Sequence, residues 1–232
     1  MKNNFIGLFV LGIFISLGAF ILSSALLEIK EKERTVVVKG LSEREYDANV
    51  ITWPISYNVV NNDLNELYIS LKSNAKKIKT FLIKNGVNEK EISSSAPIIE
   101  DKYINSYGNN KANFRYSGKQ SITVHSSNVL KIKSIMELLS ELGQQGVTIV
   151  RDYEHRTSYS FTKLNDIKPE MIEEATKNAR KVAEKFAKDS QSTLGKIKKA
   201  NQGTFSIYSK DYYTPEIKNV RVVSTIEYYL SD

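Results

Sequence analysis

Cysteine is absent from all 232 residues. With no thiol there can be no disulfide, no thiolate metal site and no dithiol redox chemistry. Chains without cysteine occur in every compartment, so this absence excludes chemistries without giving an address. Histidine is scarce as well. His125 and His155 are the two copies, and they do not form the HxxxH spacing of a helical zinc site. Nucleophile and nucleotide motifs are missing too. There is no GxSxG, no SxxK accompanied by its partner motifs, no GxGxxG and no GxxxxGK[ST]. The loop Gly143-Gln144-Gln145-Gly146 is too short to cradle a phosphate.

What remains is an ordinary globular composition, 41% apolar and 25% charged, with 13 Tyr against 9 Phe and one Trp. Such a chain can bury a core. The formal net charge is +7, yet acidic residues are interspersed with the lysines along every amphipathic stretch. Lys76-Lys77-Ile78-Lys79 and Lys196-Ile197-Lys198-Lys199 are short, and no aromatic residues alternate with them as a base-stacking platform requires. They read as solvated faces, and no nucleic-acid partner is expected. Contact with anionic headgroups is a milder expectation.

Residues Phe5 to Leu27 carry no charge, with Lys2 before them and Glu28, Lys30, Glu31, Lys32, Glu33 and Arg34 after. As a helix this run spans about 34 Å, against a bilayer core of about 30 Å. Two readings stand. Residues 5–27 form a transmembrane anchor behind a short tail, 1–4, or they form a signal peptide cut near Ala25, where Ser23-Ser24-Ala25 supplies small residues. Flanking positive charge is nearly balanced and slightly opposes an outside domain. Residues 28–34 read as a charged linker.

The remainder, 35–230, alternates strand and helix patterns. Strands are expected at 35–39 and 50–60, where Ile51, Trp53, Ile55, Tyr57 and Val59 alternate with smaller or polar residues. Pro54 points to an edge position or a bulge. A helix is expected over 63–85, with Asn62 as its cap and Gly86 as its stop. Strands follow at 92–103 and 113–125, then a helix over 128–142 capped by Ser127. Further strands are expected at 147–153 and 156–164. A third helix covers 169–191, with Ile172, Ala175, Ala179, Val182, Ala183, Phe186 and Ala187 on one face, and strands follow at 196–209 and 218–230. The order ββαββ-α-ββαββ suggests a duplication in an α+β fold of antiparallel sheets with helices on one face. It fits two lobes, 35–126 and 147–230, joined by helix 128–142, or one fused sheet.

No catalytic, cofactor or metal residues emerge. Glu154-His155 is an acid/base pair by composition only, because neighbours on a strand point to opposite faces. His125 lies with Ser121 and Thr123 on a polar strand face. Glu100, Asp101, Asp152 and Asp166 are scattered without ligand spacing. The aromatic residues are more suggestive. Tyr103, Tyr107, Phe114 and Tyr116 flank one expected hairpin tip, and Tyr208, Tyr212 and Tyr213 flank another. Tyrosine suits interfaces because its ring buries area while its hydroxyl stays hydrated. The six tyrosines are candidate oligomer contacts.

Several segments taken in order resemble the SIMPL-domain family of bacterial envelope proteins. They are Thr35-Val36-Val37-Val38-Lys39-Gly40, Asp47-Ala48, Ile92-Ser93-Ser94 with Pro97, and Tyr116 ahead of Ile122-Thr123-Val124. The longest is Ala175 to Ala187 with Leu194-Gly195-Lys196-Ile197 behind it. The resemblance spans roughly residues 34–230. It implies an α+β fold, a periplasmic or other extracytoplasmic setting, ring-like homo-oligomers and a link to oxidative stress, with no enzymatic residues to carry over. The leading expectation is therefore a non-enzymatic envelope protein that binds or self-assembles, held to the membrane by Phe5 to Leu27. The alternatives are an enzyme using a carboxylate site, for instance one gathering Asp101 and Asp152, and a binder of anionic lipid or polymer.

Overall fold

The computed structural model describes residues 9, 11–24, 34–104, 113–152 and 155–231. Helix α1 covers 11–24. It is followed by β1 (Thr35–Asp47), β2 (Val50–Asn61), α2 (Leu64–Lys84), β3 (Ile92–Ser94), β4 (Ile98–Asp101), β5 (Tyr116–Ser126), α3 (Val129–Glu137), α4 (Ser140–Gln144), β6 (Ser158–Ser160), α5 (Leu164–Asp189), β7 (Thr193–Gln202), β8 (Ser206–Ser209) and β9 (Ile217–Ser231). The class is α+β with antiparallel pairing.

The transmembrane span expected at Phe5 to Leu27 is not supported. Among the described residues no helix is long and apolar enough to cross a membrane. Residues 5–8, 10 and 25–27 of that span, the tail 1–4 and residues 28–33 of the linker lie outside the described residues. Every residue of α1 is exposed. Its hydroxyls are satisfied internally, with Ser16 Oγ donating to Gly12 O at 2.9 Å and Ser24 Oγ to Phe20 O at 3.0 Å.

The chain divides into two compact units, one of residues 1–44, 165–206 and 220–232 and the other of residues 45–164 and 207–219. Neither is a contiguous half of the chain, and the helical stretch expected to join two lobes, 128–142, belongs to the second.

The first unit is organised by α5 against strand backbone. Met171, Ala175, Ala179, Ala183 and Ala187 are its buried residues. The expected face was broader: Val182 and Phe186 are 41% and 56% exposed. Opposite Gly40 the helix presents alanines, because β1 comes so close there. A Cβ on Gly40 would lie 1.9 Å from Ala175 O and 2.4 Å from Ala179 N. Val38, Ile226 and Tyr228 complete this small core. Polar groups lock the same contact. Arg44 grips Glu170 at 2.7 Å and Glu174 at 2.9 Å, and Ser42 Oγ donates to Glu174 at 2.9 Å. The Ser42 hydroxyl, with Arg44 behind it, lowers the Glu174 pKa. The helix begins before the expected Pro169, which lies inside it. There the missing N–H removes one bond near the N-terminus. The four-stranded sheet runs β1-β9-β7, with β8 also on β9. The expected strand 196–209 is split between β7 and β8, with Gly203 in the gap.

The second unit carries the larger core. Its sheet runs β3-β5-β2-β6, with β4 also on β5. Ile51, Trp53, Ile55 and Tyr57 of β2 and Ile122 and Val124 of β5 face Leu67, Leu71, Ile78 and Leu82 of α2. The register places Ile55 opposite Ile122 and Trp53 opposite Val124. Tyr57 is fully buried; its hydroxyl lies 3.0 Å from Leu71 O and closer still to Gln120 Oε1. Burial pushes its pKa up to about 12.

Here β2 is interior and not the edge that Pro54 suggested. Beside it, β6 pairs only with Val50–Thr52, while Val150 N–H donates to Ser56 O and Asn58 N–H to Thr148 O. Pro54 falls in the gap between these pairings, where a missing donor is tolerated. Among the described residues, the strands expected at 147–153 and 156–164 are reduced accordingly to a bridge of Ile149 with Tyr57 and to β6, and residue 153 lies outside the described residues. The expected strand 92–103 breaks at Pro97 into β3 and β4.

Caps shift by one residue. Asp63 accepts from the Asn65 and Glu66 amides, while Asn62 accepts from Arg115 N; Asn128, not Ser127, caps α3. Gly86 ends α2 at φ +82°, a left-handed conformation that suits glycine. The helix expected over 128–142 breaks because Leu138 and Leu139 bond three residues back, to Ile135 and Met136. The second half of the proposed duplication is incomplete, since β6 joins the β2 sheet.

Candidate functional site

Among the described residues outside α1, the turn between β8 and β9 carries the most exposed aromatics. Tyr212 and Tyr213 are 87% and 89% exposed. Their rings meet edge to face, with centroids 5.4 Å apart. The backbone beneath them is held tightly. The Asp211 carboxylate accepts from Tyr213 N, Thr214 N and Thr214 Oγ1, each at 2.7 Å. This is an Asx turn, and the Thr214 hydroxyl leads the bonds that lower the Asp211 pKa.

Further ties close the base of the turn. Lys210 N donates to Ile217 O at 2.9 Å, and Lys210 Nζ reaches Glu45 at 2.8 Å. Glu216 pairs with Lys133 of α3, and the Lys133 hydrogen bond holds the Glu216 carboxyl below its usual range. Lys218 is 8% exposed and donates to Ser209 Oγ at 2.8 Å. Its burial lowers the ammonium pKa. Two exposed rings thus stand on a turn with little freedom left, so presenting them to a partner costs little ordering entropy.

Beside the turn, within the same unit, lies a groove of about 590 Å³. Trp53, Pro54, Met136, Leu139 and Ile149 supply apolar wall; Arg151, Asp152, His155, Arg156 and Tyr212 supply its polar part and rim. The Asp152 side chain is 5% exposed and pairs with Lys119 Nζ at 2.9 Å and His155 Nδ1 at 3.1 Å. Ser56 Oγ approaches the same oxygen at 3.3 Å and shares a 2.6 Å hydrogen bond with Ser121 Oγ. Ser56 is only 2% exposed, so this Ser-Asp-His neighbourhood offers no accessible nucleophile.

The other expected residues lie elsewhere. Tyr116 begins β5 and packs partly buried on the core, with the Arg115 guanidinium carbon 4.9 Å from its ring centroid. Tyr103 follows β4, is 46% exposed and lies 5.9 Å from the same guanidinium. Tyr208 sits within β8 at 42% exposure. Tyr107 and Glu154 lie outside the described residues. His125 lies on an exposed strand face, its Nδ1 3.0 Å from Thr52 Oγ1. Asp101 bonds Arg115 at 3.0 Å and does not line the groove that Asp152 lines. Among the described residues no group of three or more His, Asp or Glu could hold a metal.

Sequence reading missed Lys119, Lys133 and Glu216, whose partners are far away along the chain. The spacing Asp211-Tyr212-Tyr213-Thr214 was a usable signal for the turn. The family model described as SIMPL, protein of unknown function (DUF541), matches residues 36–224. No curated protein matches the chain.

Proposed function

Because the matched model covers most of the chain, the chain belongs to the SIMPL family, and from that membership we propose that it is a non-enzymatic, extracytoplasmic envelope protein that self-assembles through the β8–β9 turn. The observation that carries this reading is the pair of rings, 87% and 89% exposed, on a braced turn. Exposed, rigid tyrosines suit a contact that excludes water from their faces while leaving the hydroxyls wet.

A membrane anchor at Phe5 to Leu27 is part of the proposal. Its support is the uncharged run itself, the wholly exposed apolar surface of α1, and the serine hydroxyls that α1 satisfies internally, as a lipid environment requires. A role in oxidative or envelope stress would follow from the setting and not from thiol chemistry, since the chain has no cysteine.

The test is the molar mass of the full chain in lipid nanodiscs or mild detergent, measured by light scattering. A multimer that shifts toward monomer on joint Tyr212→Ser and Tyr213→Ser replacement is expected. An unchanged mass ends the proposal for this turn. A topology reporter fused after Asp232 is expected to read outside the cytosol.

A further inference from the structure

We propose that the groove of the second unit is a binding site for a small amphipathic carboxylate, a compound with an aromatic or alkyl body and one anionic end. Its volume of about 590 Å³ lies within the roughly 300–1,000 Å³ range of small-molecule sites. Apolar wall comes from Trp53, Met136, Leu139 and Ile149. Those side chains belong to or pack against the core of the unit, so the wall is already formed and a ligand's body would not have to organise it.

Charge selects the sign of the ligand. Asp152 is the sole carboxylate lining the groove among the described residues, and Lys119 already meets it at 2.9 Å, with His155 at 3.1 Å. A cationic ligand therefore finds its natural partner occupied. Arg151 also lines the groove; it is exposed and has no ion-pair partner among the described residues. A carboxylate entering beside it gains a bidentate, charge-assisted contact.

The chain holds one tryptophan, Trp53, in the groove wall, so its emission reports on this site alone. The full chain in nanodiscs is titrated with 4-phenylbutyrate, with 4-phenylbutylamine as the cationic counterpart and empty nanodiscs as the partition control. A saturable change in Trp53 emission with the carboxylate, and none with the amine, is expected. Arg151→Glu should weaken the carboxylate by at least about tenfold, the loss of one charge-assisted contact, and Arg151→Lys should retain part of the binding. The proposal is overturned if both probes act alike, if neither saturates, or if Arg151→Glu leaves the titration unchanged. Assembly is read by mass on the unliganded chain, so the two proposals stand or fall separately.

Discussion

The two units solve the problem of covering a sheet in opposite ways. In the first, α5 offers alanines and β1 offers a glycine, and helix backbone rests almost on strand backbone. Little volume is buried, and the contact is reinforced by the Arg44, Ser42 and Glu174 cluster. In the second, α2 stands off behind Leu67, Leu71, Ile78 and Leu82, and space is filled by Trp53, Tyr57 and the isoleucines of β2. One interface depends on what is missing from its side chains, the other on what is present. The second also places its charged and aromatic features on turns and irregular segments, where both candidate sites lie.

The sharpest way to break this contrast is to alter one methyl-scale detail in each unit. Gly40→Ala adds a single carbon, but its neighbours at 1.9 Å and 2.4 Å are backbone atoms that cannot turn aside. It should destabilise by about 3 kcal/mol. Leu82→Ala, which opens a cavity in the other core, should cost about the same for the opposite reason. Gly143→Ala, with nothing within 4 Å of its added carbon, should be neutral or slightly stabilising. Denaturant titrations followed by circular dichroism measure all three. A tolerated Gly40→Ala would refute the backbone-contact account of the first unit.

The next effect tests the filled core through pH. The Tyr57 pKa is raised by burial from 10.0 to about 12. The folded state therefore holds the phenol proton more tightly than the unfolded chain does. Stability from this group is complete below pH 10 and is lost as pH climbs toward 12, by about 2–3 kcal/mol. Tyr57→Phe should lack that alkaline slope, read as the difference between the two stability-pH curves.

The smallest effect concerns the turn. The Glu216 pKa is lowered and the Lys133 pKa raised above 10.5, each chiefly by their mutual hydrogen bond. Their pairing therefore contributes above the ordinary carboxylate value and below the ordinary lysine value, and fades outside that window. Because Lys133 is 39% exposed, solvent screening limits it to about 1 kcal/mol. Glu216→Gln should lose that amount near neutrality and nothing in strong acid.

Much of the fold was readable from periodicity. Helices α2 and α5, strands β2, β5 and β9, and the α+β class all follow from apolar spacing over long segments. The misreadings cluster where short-range pattern competes with neighbours. Residues 147–152 look strand-like, yet β2 accepts them only around Ile149, because Pro54 interrupts that edge. Residues 128–142 look like one helix, yet tighter bonds at Leu138 and Leu139 divide them. The tyrosine turn was legible as a cluster, but its bracing was not, since Lys133 and Glu216 lie 83 residues apart. The groove was invisible for the same reason: Trp53, Met136 and Asp152 come from three separate segments.

The sequence alone determined the excluded chemistries, the helical and strand periods, the alanine repeat of α5 and the family resemblance, because each is written in residue types at short spacing. The tertiary structure alone decided that Gly40 sits on Ala175 and Ala179, that Asp152 is already paired with Lys119, and that Arg151 shares a groove with Trp53. Those outcomes depend on which distant backbones approach one another, and steric contact and charge pairing act through space without regard to separation along the chain.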